Sequence, residues 1–195
     1  MTTGEGDMAL TNVPEIARRM ARLRSHGITR ELADLIHEAD GPWYYEQIEL
    51  GFNYCLTDLQ AALGLSQFDR LDEFVARRHA ISNRYDVALR QLPLIKPWQH
   101  QHGYSGIHLY VIRVQHDQVS KTHREVFEGL CAGGIGVNLH YIPVYRHAHY
   151  AQMGFELSKF PKPEYTEVVS LPIYPTLTEA LQDQVVVTLR EVLLA

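Results

Sequence analysis

An α/β fold, with a long helix feeding a small three-stranded sheet and its flanking helices, is what this sequence predicts. Three observations point there. Thr57 with Gln60 and Thr122 with Glu125 are two capping boxes, in which hydroxyl and distal side chain satisfy each other's free backbone N–H groups at a helix start. Leu59, Leu63, Leu71, Phe74, Ile81, Tyr85, Ala88 and Leu92 recur at spacings of three, four or their multiples, the period of a helix. Residues 107–114, Ile-His-Leu-Tyr-Val-Ile-Arg-Val, are β-branched and aromatic with partial alternation, which reads as a strand.

Taken in order, residues 1–7 are turn chemistry and residues 8–11 read as a short strand, which needs a sheet to join. Asn12 is placed to cap a helix from Val13, with Pro14 in its first turn and Ile16, Met20 and Leu23 as its apolar stripe. Arg18, Arg19, Arg22 and Arg24 suit its C-terminal half, and Gly27 its stop. His26 then reads as a C-cap histidine. Residues 29–39 suggest a short helix, broken by Gly41-Pro42. Trp43, Tyr44 and Tyr45 are an aromatic cluster whose default use is core or interface packing.

Gly51 allows either a positive φ or the close approach of another backbone. Asn53 precedes the capped helix. Its amide either closes a turn or is offered to a phosphate or carboxylate, and local chemistry favours the turn. Without interruption the helical period from Thr57 would run roughly 50 Å at about 1.5 Å per residue, too long for one small domain. A break is expected between Gly64 and Asp69, and a stop at Pro93. Arg70, Arg77, Arg78 and Arg84 alternate with acidic residues as a solvated face.

Residues 97–106 read as loop, with His100 and His102 solvated rather than metal-bound. The strand 107–114 follows, then a helix from Thr122 to about Cys131, stopped by Gly133-Gly134. Residues 136–141 are expected to form a second strand, ending at His140 and Tyr141. One histidine at a strand end is usually structural. His147 and His149 are a pair without partners. Residues 155–163 read as loop, 164–169 as a short helix, and 170–175 as a third strand with a turn. Thr178 starts the last helix, with Leu181, Val185, Leu189 and Val192 on one stripe.

The chain has 195 residues, enough for one domain and up to one and a half. A formal net charge of −5 with no basic block excludes non-specific nucleic-acid binding. No run reaches the roughly 20 apolar residues of a membrane span. Cys55 and Cys131 make no disulfide framework and fit a reducing, cytoplasmic compartment. The acidic, Gly-rich start is not a signal peptide. The lysines Lys96, Lys121, Lys159 and Lys162 all read as surface charges, whereas a nucleophilic lysine must be desolvated or charge-tuned.

These motifs together resemble a known family. Residues 51–64, Gly-Phe-Asn-Tyr-Cys-Leu-Thr-Asp-Leu-Gln-Ala-Ala-Leu-Gly, continuing to Gln67-Phe68-Asp69-Arg70-Leu71, are similar to the matching segment of the DegT/DnrJ/StrS-type, pyridoxal-phosphate-dependent nucleotide-sugar aminotransferases of fold type I. So are Thr2-Thr3-Gly4-Glu5-Gly6, the segment from Gly136 through His140, Tyr141 and Pro143, and Ser170-Leu171-Pro172-Ile173-Tyr174-Pro175. Cys55 departs from the family's usual Arg, and Asp7 from its second Gly.

The resemblance implies a C-terminal portion: residues 1–56 from the large cofactor domain, 57–92 as connecting helices, and 93–195 as the small α/β domain. It implies that the lysine holding the cofactor would lie just upstream of Met1, so this chain has no catalytic residue of its own. Asn53 would reach the phosphate of pyridoxal 5′-phosphate in the partner subunit of a homodimer. His140 and Tyr141 would shape the sugar-nucleotide pocket. Glutamate would be the amino donor. Residues 42–54, from Pro-Trp-Tyr-Tyr-Glu to Gly-Phe-Asn-Tyr, resemble one sub-branch, the UDP-4-amino-4,6-dideoxy-N-acetyl-β-L-altrosamine transaminases of the pseudaminic acid pathway, which adds Tyr45 as a substrate contact. The alternative is a non-catalytic dimerisation or ligand-binding module derived from the family.

Overall fold

The structure is a computed structural model that describes residues 2–154 and 164–195; the loop expected at 155–163, with Lys159 and Lys162, lies outside the described residues. The chain forms two compact units, Met1–Leu71 and Asp72–Ala195.

In the first unit, α1 spans Pro14–Leu23 with Val13 as N-cap and Pro at its first position. Asn12 does not cap it. Instead Thr11 Oγ1 accepts the Val13 N–H at 3.1 Å, so the polar partner comes from one residue further back. Residues 8–11 are not a strand: no neighbouring strand among the described residues pairs with them, and Leu10 is 85 % exposed. The helix expected over 29–39 is also absent. A single 3-10 turn, Leu32–Asp34, takes its place. Thr29 belongs to β1, Ile28–Thr29, which pairs antiparallel with β2, Glu46–Gln47. Helix α2 is Asp58–Phe68, and its Thr57–Gln60 capping box is complete.

The main chain of this unit is joined by an unusually close approach. Phe52 N–H donates to the Leu23 carbonyl at 2.7 Å, His26 N–H to Phe52 at 2.8 Å and Tyr54 N–H to Arg24 at 2.9 Å. These bonds lay residues 52–54 along the end of α1. They are possible because both backbones are bare at the crossing. A Cβ on Gly51 would sit 2.1 Å from the Gly27 nitrogen, and one on Gly27, whose φ is +73°, 1.8 Å from the Glu49 carbonyl oxygen. Of the two expected uses of Gly51, close approach is the one observed.

Asp69 caps the end of α2, and α3, Leu71–Ala88, begins two residues later, so the long helical period does break, at the C-terminal edge of the expected window. Helix α3 stops at Ala88, short of Pro93. The chain turns there and sinks Leu89 and Leu92 into the core of the second unit.

The sheet of this unit is three-stranded, as expected, but one of its members differs. Its order is β3 (Leu94–Ile95), β4 (Tyr110–Val114), β5 (Val168–Leu171), all antiparallel. Residues 136–141 are not a strand. They touch β5 by one isolated bridge, Asn138 to Ser170, and then turn away. The other edge of β4 is taken by the short β3, which no periodicity announced. Strand β4 starts at Tyr110 rather than Ile107, because Ile107 has φ +41° and cannot extend the ladder. Strand β5 begins at Val168, inside the expected helix, which shrinks to a 3-10 turn at Glu164–Thr166. It ends at Leu171, before Pro172, which has no N–H to give a ladder.

Helices α4 (His123–Ala132) and α6 (Glu179–Leu194) pack on each other, α4 starting at its complete capping box. Between them is α5, Ala148–Gln152. The buried face of α6 is Gln182, Val185, Val186, Leu189 and Leu193. The expected stripe is therefore turned: Leu181 is 45 % exposed, and Gln182 is buried with its amide donating to the Ile81 carbonyl at 2.8 Å. Tyr85, Tyr110, Ile112, Val126, Leu130, Val169 and Leu189 form the centre of the core.

Candidate functional site

The residues singled out by sequence fall in both units: Tyr45 and Asn53 in the first, His140 and Tyr141 in the second. Asn53 lies two residues beyond the glycine crossing, in a bridge to Ser25, so its backbone is fixed from both sides. Its side chain is exposed, and no described residue takes its amide. Asn53 therefore does not close a turn through its side chain; two donor hydrogens and a carbonyl remain free. On either side, Phe52 and Tyr54 stack at 4.8 Å between ring centroids, 8° from parallel, both exposed. Cys55 follows, its Sγ 3.4 Å from Ser25 Oγ and 3.7 Å from the Arg24 carbonyl.

Tyr45 stands half-exposed, with the Arg30 guanidinium 5.7 Å from its ring centroid. Next to it in the chain stands a residue that sequence reading passed over. Glu46 accepts the Ile36 N–H at 2.7 Å, the His37 N–H at 2.8 Å and the Tyr44 hydroxyl at 2.9 Å. One carboxylate thus ties both ends of the loop between 36 and 44. These bonds, the Ile36 N–H first, hold the Glu46 carboxyl below the usual carboxylate range despite partial burial, and the Tyr44 hydroxyl is pushed up by donating to it. The signal was present as a glutamate two residues after a tyrosine, but its partners are ten residues upstream.

The sign for pH follows. A carboxyl with a depressed folded pKa adds stability above its unfolded value, about 4.3 for glutamate, and loses it as pH falls through the lower folded value. Amide exchange at Ile36 and His37 is expected to be protected at pH 6, unprotected in Glu46→Ala, and unprotected in the native chain only well below pH 4.3. Protection that survives Glu46→Ala would remove Glu46 from this role.

In the second unit, His140 is half-buried, its Nδ1 2.8 Å from Ser170 Oγ and its ring edge-on to Tyr141 at 4.7 Å. Tyr141 is 70 % exposed. The C-cap of α1 is Arg24, not His26 as expected; His26 lies two residues on, with φ 62°, and donates its backbone N–H to the Phe52 carbonyl. Lys96 Nζ donates to the Asp86 carbonyl and Lys121 Nζ to Val192, each at 2.8 Å, so both are structural. Among the described residues, no group of three or more His, Cys, Asp or Glu is placed to hold a metal ion, and no helix is long and apolar enough to cross a membrane.

Comparison with known proteins gives this geometry its class. The DegT/DnrJ/EryC1/StrS aminotransferase family matches residues 1–190. This chain belongs to that family. Among curated relatives, it is 36 % identical over 197 residues to the spore coat polysaccharide biosynthesis protein SpsC of Bacillus subtilis (strain 168), covering 98 % of this chain and 50 % of SpsC. The chain thus spans about half the length of the curated relatives it matches. Among solved structures, Spr1654 from Streptococcus pneumoniae in its PMP-form aligns at TM-score 0.81 and 25 % identity, over 95 % of this chain and 47 % of that one. A PLP-form of the same protein aligns at 0.80. Helicobacter pylori PseC, an aminotransferase involved in the biosynthesis of pseudaminic acid, shares the fold at TM-score 0.80 and 23 % identity, over 94 % of this chain and 47 % of its own. The fold is that of the C-terminal portion of a fold type I sugar aminotransferase.

Proposed function

We propose that this chain supplies the C-terminal half of a pyridoxal-phosphate-dependent enzyme that moves an amino group, with glutamate as donor, onto the keto carbon of a nucleotide-linked sugar. The observation that carries the reading is the family match over residues 1–190 in a chain half the length of its relatives. The sugar class, the altrosamine-type substrate of pseudaminic acid biosynthesis, rests on residues 42–54 alone. The enzyme works as a cytoplasmic homodimer, and the lysine that holds the cofactor comes from the half that this chain does not span.

The described residues fit the cofactor. A main-chain-fixed, exposed asparagine with an unused amide is the right donor for a phosphate, and Asn53 has that form. When bound, pyridoxal phosphate supplies the electron sink of the transfer. The chain's own part is to bind and orient. Asn53 donates to the cofactor phosphate of the partner subunit. Tyr45, His140 and Tyr141 contact the sugar nucleotide, with Glu46 steadying the loop beside Tyr45. Cys55 stands where the family resemblance expects Arg, so whatever that Arg does is not done by a cation here.

The test joins this chain behind the first half of SpsC, the half it does not cover. The joined protein is expected to capture pyridoxal phosphate, and Asn53→Ala to weaken that capture about tenfold, the loss of one hydrogen bond to a charged group. The chain alone is expected to form no stoichiometric lysine adduct on borohydride reduction with the cofactor. Such an adduct on Lys96 or Lys121 would overturn the reading. A second reading, a non-catalytic dimerisation or ligand-binding module, is favoured by the apolar surface of the first unit, where Leu10, Leu50 and Leu59 are 85 %, 89 % and 85 % exposed. It predicts a joined protein that dimerises and captures nothing.

A further inference from the structure

The Ser170 hydroxyl has no part in the function above, and its surroundings give it one. Ser170 lies on β5 and is 5 % exposed. Its backbone holds the segment that carries His140: Ser170 N–H donates to the Asn138 carbonyl at 2.9 Å, and Asn138 N–H returns to the Ser170 carbonyl at 3.4 Å. Its side chain then meets the His140 ring, Oγ to Nδ1, at 2.8 Å. Strand β5 therefore holds this segment at three points, two through the main chain of Asn138 and one through the His140 imidazole.

The chemistry of the third contact selects a tautomer. Among the described residues, His140 is the hydrogen-bond partner of Ser170 Oγ. Were Nδ1–H to donate, the hydroxyl proton of a nearly buried serine would have no acceptor, and an unmet buried donor is costly. With the proton on Nε2, the serine O–H donates to the Nδ1 lone pair and the contact is complete. Nε2–H is then left as a donor. The Tyr141 ring, edge-on at 4.7 Å, limits rotation of the imidazole about this bond.

We infer that Ser170 is a positioning residue that locks His140 in the Nε2–H form, as a hydrogen-bond donor to an oxygen of the sugar-nucleotide substrate. The second clause rests on the proposed pocket role of His140; the first stands without it. A donor suits either the hydroxyls of a sugar or the diphosphate oxygens that link it to a nucleoside.

Long-range ¹H–¹⁵N correlation on the ¹⁵N-labelled chain, at a pH where His140 is neutral, reads the tautomer directly. The native chain is expected to show Nε2–H. In Ser170→Ala, which removes one atom and leaves the strand's main-chain bonds, the ratio of Nε2–H to Nδ1–H is expected to fall about fivefold, the weight of one net hydrogen bond. Ser170→Thr, which keeps a hydroxyl, is expected to restore it. A native Nδ1–H signal, or an unchanged ratio in Ser170→Ala, overturns the lock. Adding UDP-N-acetylglucosamine at millimolar concentration is expected to shift the His140 Nε2–H resonance. A locked imidazole that this ligand does not move overturns the donor role toward substrate, and distinguishes failure of the pocket reading from failure of the lock.

Discussion

Tyr85→Ala is expected to cost about 3–5 kcal/mol, enough to consume much of the roughly 5–15 kcal/mol that holds a domain folded. Tyr85 is fully buried on α3, its ring 4.9 Å from that of Tyr110 and its hydroxyl donating to the Pro172 carbonyl at 3.0 Å. The side chain thus joins the helix, the central strand β4 and the turn after β5. Burial pushes the Tyr85 hydroxyl far above its ordinary pKa, so it stays a neutral donor through the accessible pH range. Truncation leaves a cavity that the sheet cannot close, because β4 is paired on both sides. Tyr85→Phe keeps the volume and loses one hydrogen bond, for about 1 kcal/mol. Urea unfolding separates the two. Equal midpoints for Tyr85→Ala and Tyr85→Phe would show that the ring is not a keystone.

Arg78→Ala is expected to be nearly as severe, about 3 kcal/mol, although its side chain reaches no carboxylate in the described structure. Its Nη1 donates to three carbonyls, Ile107 at 3.1 Å, His108 at 3.0 Å and Ile173 at 3.0 Å. Two of these lie where the chain enters β4 and one where it leaves β5. Ile107 sits there with φ +41°, a conformation that a β-branched residue resists, and the guanidinium is the group that holds its carbonyl. Burial draws the Arg78 pKa down from its ordinary value, which still leaves the group charged at neutral pH. All three bonds leave one nitrogen, so Arg78→Lys, whose ammonium has three N–H donors on a shorter stem, is expected to recover part of the loss. The readout is the thermal midpoint, with a drop of roughly 10 °C for the alanine variant. A drop below that of Tyr85→Phe would refute the three-carbonyl role.

What the sequence disclosed followed from how local each cause is. Thr57 with Gln60, and Thr122 with Glu125, are complete within four residues, and both helices start where those residues say. Thr178 likewise caps α6 through its bond from Leu181. Strand β3 was illegible because two residues, Leu94 and Ile95, have no period; they become a strand only when β4 offers its edge. The segment from Gly136 to Tyr141 has strand composition, yet the Asn138–Ser170 bridge and the His140 side-chain bond divert it. Arg78 reads as one charge on a solvated face, since nothing local reveals three carbonyls about thirty and ninety-five residues away. Asn53 was singled out through its motif rather than its surroundings. Glu46 and Ser170 stood inside motifs, but their contacts were not legible, because Ile36, His37 and His140 lie nine or more residues away.

The bare crossing of Gly51 over Gly27 also bears on how such a protein can diverge. Since main-chain bonds set where residue 53 stands, the rings at 52 and 54 can be exchanged without relocating that amide. A lone methyl at 51 would do what many exchanges of those rings could not: wedge the two strands of main chain apart and carry the asparagine off its mark.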